Sequence, residues 1–104
     1  MAVMSVTIMS VKPGMYQQFL EGQKEANALL EKSGAKNLRL IVGLTAGEAS
    51  GSMVSTWEAD DFTAYGKVTD AFFSGGGVEI MESISGADSP IANWQSSTYV
   101  DVPT

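Results

Sequence analysis

The chain has 104 residues, a net charge of −6 at pH 7, and neither cysteine nor histidine. This length fits one domain, so we expect residues 1–104 to fold as a single unit. Without cysteine there are no disulfides or thiolate ligands, and without histidine the commonest general base and zinc ligand is missing. We therefore predict no metal site and no cofactor.

Charge and hydropathy also restrict the partners. Only six lysine and arginine residues are present, too few for the basic face that nucleic acid or an anionic membrane surface requires. No stretch approaches the roughly 20 apolar residues of a membrane-spanning helix. The segment from Met1 to Met9 is interrupted by polar residues and lacks the basic start of a signal peptide. We expect a cytoplasmic protein that binds neither nucleic acid nor membrane.

The segment Val3–Met9 predicts a central β-strand with two different faces. Side chains alternate between the two faces of a strand, and one face here is fully apolar: Met4, Val6 and Ile8. The other face is half apolar and half hydroxylic: Val3, Ser5, Thr7 and Met9. We predict that the apolar face packs against helices and that the mixed face meets a partner.

A helix is predicted next, with Pro13 in its first turn, where the missing N–H costs nothing. Small or apolar residues recur along one side at steps of three and four: Met15, Phe19, Gly22, Ala26 and Leu29. Gly34 is predicted to end the helix in a left-handed conformation. Glycine costs about 1 kcal/mol relative to alanine inside a helix. We attribute Gly22 to close helix–sheet packing, the alternative being room for a ligand.

Two strands joined by a hairpin loop are predicted after this helix. Residues 37–44 alternate, with leucine and valine on one face and Asn37 and Arg39 on the other. The glycine-rich segment Thr45–Gly51 is typical of a hairpin loop, and Ser52–Glu58 returns as the third strand. We expect Arg39 to be exposed near the sheet edge, the alternative being a buried ion pair.

The last third of the chain predicts a second helix and a final strand. Asp60 or Asp61 is expected to cap the helix, whose inner side is predicted to carry four residues: Phe62, Tyr65, Thr69 and Phe72. Ser74–Gly77 interrupts this helix. A short helical piece follows, with Ile80, Met81 and Ile84 on one side, and Trp94–Val102 is predicted as the last strand.

The order strand–helix–strand–strand–helix–strand predicts a ferredoxin-like α+β fold, a four-stranded antiparallel sheet with two helices on one face. Two motifs make a more specific likeness. The first strand runs into Val11-Lys12-Pro13-Gly14 and a helix, and the third ends in Ser55-Thr56-Trp57-Glu58-Ala59-Asp60-Asp61-Phe62. In both motifs the chain resembles the dimeric α+β barrel superfamily.

The resemblance implies a homodimer in which two sheets pack through their open faces, with the helices outside. The superfamily includes cofactor-independent monooxygenases of antibiotic biosynthesis, haem-degrading enzymes, muconolactone isomerases, stress-responsive barrels and ligand-sensing regulatory domains. Members whose chemistry uses a histidine are poor matches, because this chain has none. The motifs are short and shared by many functions, so they support the fold rather than an activity.

The large aromatic residues indicate where a small molecule would bind. We predict a ligand site between the helices and the sheet, formed by five residues: Asn37, Trp57, Tyr65, Phe72 and Trp94. The alternative is that the aromatic rings only pack the core. No serine or threonine stands in an arrangement with a catalytic base, so no catalytic residue is predicted.

Two other clusters have simpler explanations than a site. The carboxylates Glu58, Asp60 and Asp61 have the charge for a cation, but a strand-to-helix junction favours a helix cap in a solvated turn. The run Gly75–Gly77 lacks the spacing of a phosphate-binding loop and is interpreted as a flexible break. We predict that Ser74–Ile84 is the mobile wall of the pocket, with Tyr65 and Phe72 at its fixed edge.

Two functions fit these predictions. One is the binding or conversion of a small apolar or aromatic molecule, with monooxygenase-like chemistry in which the substrate supplies the electrons. The other is a non-catalytic dimeric module, structural or ligand-sensing. An aromatic-lined pocket between helices and sheet distinguishes the first from the second.

Overall fold

The computed structural model describes residues 2–44, 47 and 51–104. The predicted element order is confirmed, with a π-helical turn dividing the second helix: β1 (Val3–Val11), α1 (Tyr16–Lys32), β2 (Lys36–Val42), β3 (Met53–Ala59), α2 (Phe62–Phe72), α3 (Val78–Ser85) and β4 (Ile91–Val100). The strands form one antiparallel sheet in the order β2-β3-β1-β4. This is the ferredoxin-like α+β fold that the sequence predicts. None of the helices in the described ranges is long and apolar enough to cross a membrane.

The core lies between the helices and one face of the sheet, in two clusters. The first contains Trp57 and Ala59 of β3 packed with Val68 of α2, and the second contains Met9 of β1 packed with Phe19 of α1. Phe19 and Val3 are among the most deeply buried side chains, with exposures of 2% and 0%. Both clusters use the same face of β1 and β3, so this face is the helix-covered one.

The predicted orientation of β1 is therefore wrong. The mixed face, with Val3, Ser5, Thr7 and Met9, packs against the helices, and the apolar face is left open. The hydroxyl groups are tolerated beneath the helices because they bond to one another and to polar helix side chains. The open face carries Met4, Val6 and Ile8, and the register adds Val54 opposite Ile8 and Ile41 opposite Val54.

The start of α1 also differs from its prediction. Pro13 precedes the helix, which begins at Tyr16. The N–H of Met15 donates to the carbonyl of Lys12 at 3.1 Å, and Gly14 has a φ of +78°. Proline followed by a residue of positive φ is the pattern of a type II turn. The end of α1 is as predicted, because Gly34 has a φ of +104° and its N–H donates to the carbonyl of Glu31.

Several further boundaries shift. Of the two residues predicted to cap α2, Asp61 is the observed cap, accepting a 2.8 Å hydrogen bond from the N–H of Ala64. Phe62, predicted on the inner side, is 58% exposed, and Val68 is buried instead, because the inner side of the helix runs from Tyr65 by a step of three to Val68 and by a step of four to Phe72. The last strand is Ile91–Val100 rather than Trp94–Val102. The predicted loop Thr45–Gly51 lies mostly outside the described residues.

The glycine run is a π-helical turn, Phe73–Gly77, that joins α2 to α3. Gly76 has a φ of +117°, which interrupts the helical backbone as predicted. Gly77 is buried, and a Cβ at that position would lie 2.6 Å from the carbonyl oxygen of Phe72 and collide with its ring. Glycine is therefore needed here for close packing as well as for a kink.

Candidate functional site

A cleft lies between the helices and the sheet, bordered by both core clusters. It consists of two cavities of about 320 and 140 Å³. The two are adjacent, because they share five lining residues: Thr7, Leu30, Trp57, Phe72 and Met81. Binding sites for small molecules usually have volumes of about 300–1,000 Å³. The two neighbouring cavities are together called the cleft, and the larger one by itself has room for a small ligand.

The larger cavity has an aromatic wall, which we define as Trp57, Tyr65, Phe72 and Trp94. The rings of Trp57 and Tyr65 are stacked, with centroids 4.8 Å apart and planes inclined by 13°. Such a pair contributes about 0.5–1.5 kcal/mol beyond its buried area. The Tyr65 hydroxyl lies 3.0 Å from the Oγ1 of Thr98. Ring and hydroxyl together hold α2 against β3 and β4 and fix the orientation of the wall.

The sheet side of the cleft carries a row of hydroxyl groups, Ser55, Thr7 and Ser96, which we call the hydroxyl row. Thr7 lies directly opposite Ser55 on β3 and Ser96 on β4, so the three side chains share one face of the sheet. The Oγ1 of Thr7 and the Oγ of Ser96 are 2.7 Å apart. All three residues line the cleft.

Helix α1 contributes a polar contact and an opening. The Nε2 of Gln23 donates to the Oγ of Ser55 at 3.0 Å and to the Oδ1 of Asn27 at 2.9 Å. Gly22 lines the smaller cavity, and nothing lies within 4 Å of a Cβ placed on it. The prediction that Gly22 serves close helix–sheet packing is therefore wrong, and the alternative, room beside the cleft, fits the structure.

The wall opposite the sheet is completed by α3. Ile80, Met81 and Ile84 line the cleft, as the sequence pattern places them on one side of this short helix. No residue of α3 is buried, although Ile84 packs against the core cluster that contains Met9 and Phe19. The π-helical turn connects this wall to Phe72 at the end of α2.

The cleft is poor in charge. Glu25 is the only carboxylate among the described residues that lines it. The ion pair found in the described part of the chain, Lys36 to Asp60 at 2.8 Å, lies outside the cleft and is solvent-exposed. The hydrogen bond from Lys36, together with its charge, lowers the pKa of Asp60. Within residues 2–44, 47 and 51–104 no three acidic side chains converge to hold a metal ion.

The structure brings four of the five predicted ligand-binding residues together in the larger cavity, namely the aromatic wall. Asn37 does not line the cleft. It lies at a β-bulge in the edge strand β2, where the register shifts between Lys36 and Arg39 and its own φ is +51°. Asparagine tolerates this left-handed conformation better than most residues, which explains its presence without a ligand. That the four aromatic residues bind a ligand stays a prediction.

The polar half of the cleft is not among the residues that the sequence predicts for the site. The predicted site does not include Gln23 or the hydroxyl row, because the sequence pattern places the mixed face of β1 on the wrong side of the sheet. The signal was present in the alternation of Ser5 and Thr7 with apolar residues in β1. Arg39 is exposed on the edge strand, as predicted.

Comparisons with protein-family models and with curated proteins find no match for this chain. Solved structures do match. SnoaB, a cofactor-independent oxygenase from Streptomyces nogalater, superimposes with a TM-score of 0.72 at 14% sequence identity, over 99% of this chain and 95% of its own. A candidate antibiotic biosynthesis monooxygenase from Bordetella bronchiseptica matches with a TM-score of 0.69 at 16% identity, over 98% of each chain.

A third structure widens the group. An uncharacterised NIPSNAP-like domain protein from Burkholderia xenovorans matches with a TM-score of 0.66 at 12% identity, over 97% of this chain and 85% of its own. An oxygenase and an uncharacterised NIPSNAP-like protein thus share this architecture. At these identities the likeness concerns the fold, and it agrees with the superfamily that the sequence motifs resemble.

Proposed function

We propose that the cleft binds a small, flat aromatic molecule. The observation that carries this proposal is a cavity of about 320 Å³ with the stacked pair of Trp57 and Tyr65 on one side and Trp94 also lining it. Flat aromatic faces suit a planar apolar ligand, which gains from burial and from offset stacking. The volume lies at the lower end of the usual range for ligand sites, which favours a small ligand.

Intrinsic fluorescence provides a direct test. The chain has two tryptophan residues, and both line the larger cavity. We expect small aromatic compounds to quench or shift their emission saturably, and Trp57→Ala to weaken binding at least tenfold. Phe62→Ala is the matched control, because Phe62 is 58% exposed and lines neither cavity. Absence of saturable binding across a panel of aromatic compounds would contradict the proposal.

We further propose cofactor-independent monooxygenase-like activity on the bound molecule. This is supported by the similarity in fold to a cofactor-independent oxygenase and by an apolar cleft that limits water around a reactive intermediate. In the simplest balanced reaction, dioxygen and an aromatic methylene group yield a carbonyl group and water. One oxygen atom enters each product, and the substrate supplies all the electrons.

The alternative is a non-catalytic module, either ligand-sensing or structural. It is favoured because few ionisable groups line the cleft. The fate of dioxygen distinguishes an oxygenase from such a module. An oxygenase incorporates the isotope label from labelled dioxygen into the extracted ligand, whereas a sensor binds the same ligand and returns it unchanged. Mass spectrometry of the ligand that co-purifies with the protein names the compound class for this experiment.

We also propose that a second copy of the chain covers the open face of the sheet, which we define as Met4, Val6, Ile8, Ile41 and Val54. Met4, Val6, Ile8 and Val54 lie on the two central strands, and Ile41 extends the face onto the edge strand β2, where it is 40% exposed. Arg39 and Glu58 flank them with opposite charges on the same face. A twofold dimer uses the same patch of both copies, and this apolar face can supply such a patch.

A further inference from the structure

The hydroxyl row is an unusual floor for a cleft with an aromatic wall. Its three members lie side by side on β3, β1 and β4, in the middle of the helix-covered face. The neighbouring positions of β1 on the other face are Val6 and Ile8. A strand whose covered face only fills a core needs no hydroxyl groups there, since apolar residues pack without unsatisfied polar atoms.

The hydrogen bonds within the row leave unused capacity. Each hydroxyl group has one donor and two acceptor positions. The bond between Thr7 and Ser96 uses one of the two O–H donors of that pair. Ser55 accepts from Gln23, which leaves the O–H of the serine itself for another partner. The row therefore has donors and lone pairs to offer to a molecule in the cleft.

We infer that the hydroxyl row selects a ligand with a hydroxyl or carbonyl oxygen on its ring, rather than a plain aromatic hydrocarbon. This inference rests on the proposed binding function of the cleft. A hydrocarbon displaces water from these hydroxyl groups and forms no hydrogen bonds with them. Each hydroxyl group left unpaired costs free energy. An oxygen substituent facing Thr7 and Ser96 restores the lost hydrogen bonds. Sites built to bond a substrate oxygen discriminate strongly against analogues that lack it.

Thr7 is the residue on which this selection depends. It occupies the centre of the row and lines both cavities of the cleft. It lies beneath the space between the aromatic wall and Gln23, so a ring stacked against the wall can direct its oxygen to Thr7. We therefore assign Thr7 as a specificity-determining residue, with Ser96 as its hydrogen-bonding partner.

Naphthol and naphthalene are suitable probes, because they differ by one hydroxyl group and both are uncharged at neutral pH. Their affinities for the full chain follow from tryptophan fluorescence. We expect naphthol to bind about tenfold more tightly than naphthalene. Thr7→Val keeps the shape of the side chain and removes its hydroxyl group. It should abolish most of this preference by weakening naphthol binding while leaving naphthalene binding unchanged or tighter.

Thr56→Val is the matched control, because Thr56 lies opposite Val6, on the other face of the sheet, and this variant should keep the preference for naphthol. Ser96→Ala provides a second variant if Thr7→Val does not fold. Equal affinities of the wild type for both probes, or an equal loss for both in Thr7→Val, would overturn the inference while leaving the proposed binding function intact. Failure of both probes to bind would overturn the binding function itself, and the inference with it.

Discussion

Gly22 is a glycine in mid-helix that the fold does not require. Nothing lies within 4 Å of a Cβ placed there, and its φ is not in the left-handed region. We therefore expect Gly22→Ala to stabilise the protein by about 1 kcal/mol, since alanine loses less backbone freedom in a helix. Thermal unfolding measures this as a rise of roughly 4–8 °C in Tm. An unchanged or lower Tm would show that the helix needs glycine for another reason.

A larger side chain at the same position is expected to act on binding instead. Gly22 lines the smaller cavity, so Gly22→Leu places apolar bulk into the cleft and should weaken binding of aromatic probes several-fold. Gly66→Leu is the control, because a Cβ at Gly66 also has nothing within 4 Å and Gly66 lines neither cavity. Equal effects of the two variants would contradict a role of Gly22 at the cleft.

Gly77, unlike Gly22, is a glycine that the packing of the fold requires. A Cβ there would lie 2.6 Å from the backbone oxygen of Phe72, and a backbone atom does not move aside cheaply. We expect Gly77→Ala to destabilise the protein by about 1–3 kcal/mol, measured by urea unfolding. Gly75→Ala is the comparison, because its Cβ would meet only the Cδ1 of Leu29 at 3.2 Å, the end of a flexible side chain. A larger loss in Gly75→Ala than in Gly77→Ala would contradict this order.

At the scale of elements, α1 and α3 form two walls of the same cleft with different attachment. Helix α1 contains the buried Phe19, whereas α3 contains no buried residue and follows a glycine-rich turn. Segments with few buried contacts open at lower free energy. We therefore expect the amides of Ser74–Ile84 to exchange with solvent faster than those of Phe19–Leu29. Hydrogen exchange measured by NMR or mass spectrometry tests this within one molecule.

Hydrogen exchange also shows whether α3 is a lid that closes over a ligand or only a mobile segment. If α3 covers a bound ligand, an aromatic compound should slow exchange in Ser74–Ile84 and leave the strands unchanged. Protection of Ser74–Ile84 equal to that of Phe19–Leu29 in the free protein would show that this wall is not mobile.

At the scale of the whole molecule, the open face predicts the oligomeric state. We expect a homodimer by sedimentation equilibrium at micromolar concentration, and a monomer for Val6→Glu, because a carboxylate in an apolar interface is costly to bury without a partner. Phe62→Glu is the control. It also replaces an apolar residue, but Phe62 is 58% exposed at the start of α2, where a negative charge is favourable. A monomeric wild type would refute the dimer.

The overall charge of −6 predicts that the protein binds an uncharged ligand more tightly than an anionic one. Glu25 lines the cleft, and Glu82 lines an adjoining groove that also includes Gly22. We expect a naphthalene sulfonate to bind more weakly than naphthol, with the difference shrinking as salt is added, since exposed charges are screened. Glu25→Gln should reduce the difference. A sulfonate that binds as tightly as naphthol at low salt would contradict this prediction.

Much of the fold was predictable from local pattern. The hydrophobic period predicts the strands β1, β2 and β3 and the helical stripe that contains Phe19. The backbone preference of glycine predicts the end of α1 at Gly34. Local pattern also predicts the aromatic wall, because its four members are large and fall on regular elements: Trp57, Tyr65, Phe72 and Trp94. Asn37 is predicted at the site from its place on the more polar face of β2, and its left-handed backbone conformation explains it better.

The sequence by itself determined the order of the elements and the separation of β1 into an apolar and a mixed face. Only the tertiary structure decided which of those faces the helices cover. Local pattern cannot settle this, because either face of β1 has enough apolar side chains to pack. The choice depends on distant partners: Phe19 packs on Met9, Gln23 bonds to Ser55, and Thr7 bonds to Ser96. These contacts are made only once the chain has closed, and they place the polar side of the site inside the cleft.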